Sequence, residues 1–156
     1  MPDEEDKHIK TTPPIVETNN VQLEDIRLLL LDRFADNYAI KTGDLYFSDE
    51  ELMDAMRRAV EAYNALPPTT LRQGLYGIPD QYLFKVGTAW QACLAKALYF
   101  QRKRTTYNAG NTTVDMYGSA SQAMLDAAQE YKQEFKEIAL SLKRQINAVR
   151  FYGRIG

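Results

Sequence analysis

An all-α fold, a four-helix bundle, follows from three features of this sequence. The first is a helix start at Ser48, where Ser48 and Glu51 have the spacing of a capping box and Pro67-Pro68 later forces a stop. The second is an apolar seam of Met124, Ala128, Tyr131, Phe135, Ile138, Leu142, Ile146 and Val149, stepping by threes and fours as one face of a long helix does. The third is composition: 156 residues, 45% of them apolar, suffice for a single core without disulfides or metals.

Residues 1–20 begin with four consecutive acids, Asp3 to Asp6, and contain Pro13-Pro14 and Asn19-Asn20, with Ile9, Ile15 and Val16 as the sizeable apolar residues after Met1. Such a segment buries too little surface to offset its ordering entropy, so a flexible acidic arm is expected, either dispensable or ordered on a neighbouring subunit. Residues 21–149 form the helical domain. Its first helix is expected from about Gln22 to Arg33, with Glu24 and Asp25 in the first turn and Leu23, Ile26, Leu29 or Leu30 and Phe34 on one face. Leu28 to Leu31 widens that face enough to imply contact on two sides. Leu45-Tyr46-Phe47 suits a short extended segment.

The second helix runs from the Ser48 cap through Leu52, Ala55/Met56, Ala59/Val60 and Tyr63, with Phe47 and Leu52 placed as a hydrophobic staple. Residues 67–78 read as a loop that Leu71, Leu75 and Tyr76 pin down. A third helix is expected from near Pro79 to about Arg104 through Leu83, Val86, Trp90, Leu94, Ala97 and Leu98. Gly87 costs that helix about 1 kcal/mol relative to alanine and marks a point for a break or kink between Val86 and Thr88. Residues 105–118 carry strand formers around a turn of Asn108, Gly110 and Asn111, a small hairpin or extended loop that needs a surface to lie against. The fourth helix, from Ser119 or Ser121 to Val149, is the long C-terminal spine, and residues 150–156 are too glycine-rich at their end to remain helical.

The formal net charge of -2 conceals a split: residues 1–98 carry ten Lys/Arg against sixteen Asp/Glu, and residues 99–156 nine against five. Acidic and basic poles suit stacking against further copies through complementary fields, and heterologous contacts of that kind close into rings. Catalysis has little to work with. The only histidine, His8, lies in the arm, and Cys93, between Trp90 and Leu94, reads as a small buried hydrophobe more readily than as a reactive thiol. Thiols and imidazoles cannot assemble a metal set. The carboxylates Asp49, Glu50, Glu51 and Asp54 fit the first turn of a helix, and Gly74/Gly77 lack the strand and lysine context of a phosphate loop. Neither catalytic residue, metal nor cofactor is expected. Arg102, Lys103 and Arg104, with Tyr99, Phe100 and Tyr107 nearby, read as a solvated helix end, a contact for an acidic neighbouring subunit, or a weak nucleic-acid patch. A lone cysteine, an acidic start and the lack of a long apolar run point to a soluble protein made in a reducing cytoplasm.

The order of these features resembles the small head–tail connector, or adaptor, proteins of tailed bacteriophages. The likeness spans about Val21 to Tyr152 and is one of layout. It rests on Ile26-Arg27 and Leu31-Asp32 in a short first helix, on Phe47-Ser48-Asp49-Glu50-Glu51-Leu52 opening a helix that closes at Tyr63-Asn64-Ala65-Leu66-Pro67-Pro68, and on the helix from Trp90 to Arg104. It continues with the turn around Tyr107 to Val114, with Tyr131-Lys132-Gln133-Glu134-Phe135 in the spine, and with Asn147 to Tyr152. The resemblance implies a non-enzymatic virion subunit, assembled in the host bacterial cytoplasm into a portal-symmetric ring, usually a dodecamer. That ring occupies the neck, extends the DNA channel without specific DNA binding, touches no membrane, and offers a platform to the tail or a second neck protein. The C-terminal grip on the portal would fall to Phe151, Tyr152, Arg154 and Ile155, since aromatic and arginine side chains dominate such anchors. A subunit or tail-side contact would fall to Tyr107, Asn108, Asn111 and Thr113 together with Arg102, Lys103 and Arg104. The acidic arm is not a feature expected of every member. A different class, a small helical regulatory or anti-defence protein binding one host target, shares the absence of catalytic groups.

Overall fold

The computed structural model describes residues 20–34, 47–109 and 112–152, with four helices in the order α1 (Leu23–Phe34), α2 (Asp49–Ala65), α3 (Gln81–Lys103) and α4 (Gly118–Tyr152). An antiparallel hairpin, β1 (Thr105–Ala109) and β2 (Thr112–Met116), joins α3 to α4. The fold is all-α. Residues 1–19 of the arm, and Leu45-Tyr46 of the expected extended segment, lie outside the described residues.

Each helix starts where its local chemistry satisfies free backbone groups. Ser48 Oγ accepts from Glu51 N at 3.1 Å while Glu51 Oε2 accepts from Ser48 N at 2.9 Å, so both halves of the capping box form. Phe47 and Leu52 are both buried, as a staple requires. The α3 cap is Asp80, whose carboxylate accepts from Leu83 N at 2.7 Å, so the helix starts at Gln81, two residues later than the expected start at Pro79. Of the three expected anchors of the loop after α2, Leu75 packs against the core, and the other two do not. Leu71 is 65% exposed and Tyr76 44%, whereas Ile78 is fully buried and the Asn64 side chain bonds Gln73 twice, donating to its carbonyl at 3.0 Å and accepting from its N–H at 2.8 Å. A polar side chain at the end of α2 fixes this loop by satisfying its backbone, which apolar anchors cannot do.

α3 is the hub: α1, α2 and α4 all pack on it, with α4 making the most extensive contact. α4 is the longest helix but not the centre. The helix is unbroken at Gly87, where the missing side chain is used for packing. A Cβ there would lie 2.6 Å from Phe135 Cε2 on α4 and 3.2 Å from Ala59 Cβ on α2. Phe135 is fully buried, and its ring centroid is 5.5 Å from that of Trp90. α3 and α4 run antiparallel, with Ser121 Oγ donating to Ala97 O at 3.2 Å near one end and Tyr82 Oη donating to Glu134 Oε1 at 2.7 Å near the other.

The buried face of α4 departs from the expected seam. Met124, Ala128, Tyr131 and Phe135 are buried, but burial then passes to Ala139 and Lys143, leaving Ile138, Leu142 and Ile146 half-exposed and Val149 72% exposed. Steps of four advance about 40° each around a helix, so the contact line winds across α4, as it does when helices cross at an angle.

Replacing Gly87 by alanine is expected to destabilise the protein although it raises helix propensity, since overpacking costs about 1–3 kcal/mol and the propensity gain is about 1 kcal/mol. Urea unfolding followed by circular dichroism should show a lower midpoint; a higher one would mean that the three helices do not meet there as tightly as described.

Candidate functional site

The sequence-derived contact residues fall at two ends of the molecule. One is the hairpin end of α3. Arg102 and Lys103 occupy its last turn and are exposed, and Arg104 is its C-cap. Arg104 is engaged locally: Nε donates to Asp115 Oδ1 at 2.9 Å and Nη2 to Oδ2 at 2.5 Å, tying the start of the hairpin to its end. That carboxylate holds the guanidinium above its ordinary pKa. The hairpin then enters α4 through Tyr117, whose φ of 69° is left-handed, and Gly118, where any Cβ would strike the Asp115 carboxylate at 2.2 Å.

Above this junction lies a ladder of cations and rings. Phe100 and Tyr117 stack at 5.6 Å with a 6° interplanar angle, Lys103 Nζ lies 4.5 Å from the Tyr99 ring centroid, and Lys96 Nζ lies 5.7 Å from the same ring and 5.2 Å from Phe47. The contact with Tyr99 raises the Lys103 pKa. Lys96 also donates to both Glu51 carboxylate oxygens, at 3.0 and 3.1 Å, so the cap of α2 and the ladder share a residue. Leu98, Tyr99 and Tyr117 are 45%, 46% and 43% exposed, an apolar surface bordered by Arg102 and Lys103. In the hairpin itself Tyr107 faces Val114 and Asn108 faces Thr113 across the strands; Asn111 lies outside the described residues.

The second end is the C-terminus of α4. Lys143 is fully buried, and beyond it every residue to Phe151 is exposed or half-exposed. Nine further residues take the helix to Tyr152, roughly 13 Å past the bundle. Phe151 and Tyr152 are therefore helical instead of belonging to a separate irregular tail, because the glycine that ends the pattern comes only at position 153. Phe151 is 76% exposed; Arg154 and Ile155 lie outside the described residues.

Lys143 marks the boundary between packed and projecting helix. Its Nζ donates to Leu66 O and lies 4.6 Å from the Tyr63 ring centroid. α2 has no basic residue in its last turn, so α4 supplies the cation that satisfies the carbonyl end of α2. Burial lowers the Lys143 pKa and raises that of Tyr63. Nothing in the sequence pattern singled out Lys143, since a lysine at the edge of an apolar seam reads as solvated.

The basic charge of the C-terminal third is not gathered at one pole. Arg102 and Lys103 lie near the start of α4 and Arg150 near its end, a helix length of about 50 Å apart. Among the described residues no group of three His, Cys, Asp or Glu is placed to hold a metal, and no helix is long and apolar enough to cross a membrane. Cys93 is buried in the core. A 680 Å³ groove along α3 and α4, lined by Trp90, Leu94, Leu125 and Lys132 among others, is open along its length, and Lys132 Nζ leans over Trp90 at 5.7 Å. No family model matches the chain, and no match was found among curated proteins or solved structures.

The lowered Lys143 pKa fixes the sign of a pH effect. Between its folded pKa and the usual 10.5, the unfolded chain binds the proton and the folded one does not, so this residue makes stability rise with pH through that window. The raised Tyr63 pKa acts oppositely above 10.0, where the unfolded phenol ionises first. In a Tyr63→Phe background, adding Lys143→Met should therefore flatten the upward slope of unfolding free energy measured by urea titration as the pH approaches 10.5 from below.

Proposed function

We propose that this chain is a non-catalytic structural subunit of a tailed-phage neck, a head–tail connector that forms a ring between the portal and the tail or next neck component. The observation that carries the reading is the projection of α4. A helix that outruns its own bundle and exposes Val149 and Phe151 at its end has no internal reason for those residues. Exposed apolar residues on a rigid projection fit insertion into a larger partner. On this reading Phe151, Tyr152, Arg154 and Ile155 grip the portal. The hairpin end, with Arg102, Lys103, Arg104, Tyr107, Asn108, Asn111 and Thr113, faces the neighbouring subunit or the tail side. Two contact surfaces at opposite ends of one long helix suit a part that couples a component above to one below. The ring, a dodecamer by analogy with portal symmetry, would surround DNA without reading it, and the protein would reside in the virion neck after assembly in the bacterial cytoplasm.

Electron microscopy of the chain mixed with a candidate portal, with native mass recorded alongside, tests this reading. Ring density at the portal supports it. A monomer with no portal affinity overturns it in favour of a regulatory protein that binds a single host target. Deleting residues 150–156 should leave helicity almost unchanged, because only the last turn of α4 is lost, yet abolish docking; retained docking would remove the C-terminal assignment.

A further inference from the structure

We propose that the acidic N-terminal segment, Asp3 to Asp6, docks in cis on the cation–aromatic patch at the C-terminal end of α3. The patch is Leu98, Tyr99, Arg102 and Lys103, with Tyr117 alongside: apolar and aromatic surface, three of whose members are more than 40% exposed, bordered by two exposed cations. Arg104 and Lys96 are already committed to Asp115 and Glu51. The charge left to attract a partner therefore sits on Arg102 and Lys103, at the outer rim.

The first nineteen residues carry five acids, Asp3, Glu4, Glu5, Asp6 and Glu17, against two lysines, Lys7 and Lys10. The acids at positions 3–6 are the densest run of negative charge in the chain, and Ile9 follows three residues later as an apolar group for Leu98 or Tyr99. The place where the segment leaves the bundle fits this target. Asn20 lines a hollow with Met53 of α2, two residues beyond Glu51, and the Glu51 carboxylate is 3.0 Å from Lys96 Nζ beside Tyr99. The exit thus adjoins the second turn of α2, through Met53 and Met56, and Tyr76 of the loop before α3, while the patch adjoins the first turn of α2 through Glu51, on another face of that helix.

Asp6 lies fourteen positions before Asn20. A flexible chain of that length spans roughly 20 Å on average, and at most about 50 Å when extended. Such a tether holds the acids near the patch at an effective concentration of the order of millimolar, so a contact too weak to form between separate molecules is populated within one. Attraction between exposed charges is screened beyond about 8 Å at physiological salt, so high salt releases the segment. The docking stands apart from the connector reading.

Paramagnetic relaxation tests the contact in the full chain. A nitroxide at Glu5→Cys, with Cys93→Ala to leave one thiol, should reduce the amide signals of Leu98 to Lys103 at least about two-fold in 50 mM salt, with recovery in 500 mM. Absence of that loss overturns the proposal. So does an equal loss in unlabelled ¹⁵N chains mixed with nitroxide-labelled ¹⁴N chains, which would assign the contact to a neighbouring copy. Should Cys93→Ala fold poorly, the unlabelled chain supplies a second test. Salt-dependent amide shifts at residues 3–6 and 98–103 should move together and vanish in the exposed pair Arg102→Glu and Lys103→Glu, while persistence in that pair refutes the docking.

Discussion

Three helices meet at a position with no side chain. Gly87 lets the Phe135 ring of α4 and Ala59 of α2 reach the backbone of α3, and the rest of the packing follows from that approach. With α4 drawn in at Phe135, Tyr131 Oη comes within 3.5 Å of Leu29 O on α1 and Trp90 packs against Phe135 from the outer side. With α2 drawn in at Ala59, Leu52, Met56 and Tyr63 complete a buried stripe against α3. A helix interior glycine costs backbone entropy, but here it exchanges about 1 kcal/mol of propensity for close packing of a fully buried aromatic. That exchange makes α3, and not the longer α4, the element on which the others are assembled.

The second constraint is electrostatic and sits at the end of α2. The two prolines after Leu66 stop the helix, no basic residue occupies its last turn, and its half-buried carbonyl end takes a donor from elsewhere in the chain. Lys143 meets that need from α4. Desolvation of the ammonium is the cost, visible in its lowered pKa, and the Tyr63 ring face and the Leu66 carbonyl offset it. The same contact sets where α4 stops being part of the bundle, because nothing beyond Lys143 is held by another element in this way.

Local signals were legible and non-local ones were not. The Ser48–Glu51 capping box and the stop before Pro67 are written in a few adjacent residues, so α2 could be placed almost to the residue. The layout of helices and a strand-like link between α3 and α4 were legible for the same reason. Gly87 was misread as a weak point, since propensity scores a residue against its own helix while its role is set by Phe135, 48 positions away. The drift of the α4 contact line from Ile138 and Leu142 to Ala139 and Lys143 was hidden because a seam of threes and fours assumes partners that run alongside, whereas crossing partners are not recorded in one helix's periodicity. Net charge misled in a related way: counting along the chain put the basic residues of the last third together, and a helix of 35 residues spreads them from the hairpin end, at Arg102 and Lys103, along its length to Arg150.

That separation bears on how the surfaces can act. At the hairpin end the charged groups are paired, Arg104 with Asp115 and Lys96 with Glu51, and the Phe100 and Tyr117 rings stack, so the surface is preorganised. At the other end α4 exposes Val149 and Phe151, 72% and 76%, among the described residues, and steps of 100° per residue put these two on opposite sides. A single flat partner cannot cover both. A socket that surrounds the helix can, and a helix held as far as Lys143 by Leu66 and Tyr63 enters such a socket with its direction already fixed. On the proposed connector reading the two ends would therefore suit different partners: a flat neighbour at the hairpin, and an enclosing one at the tip of α4.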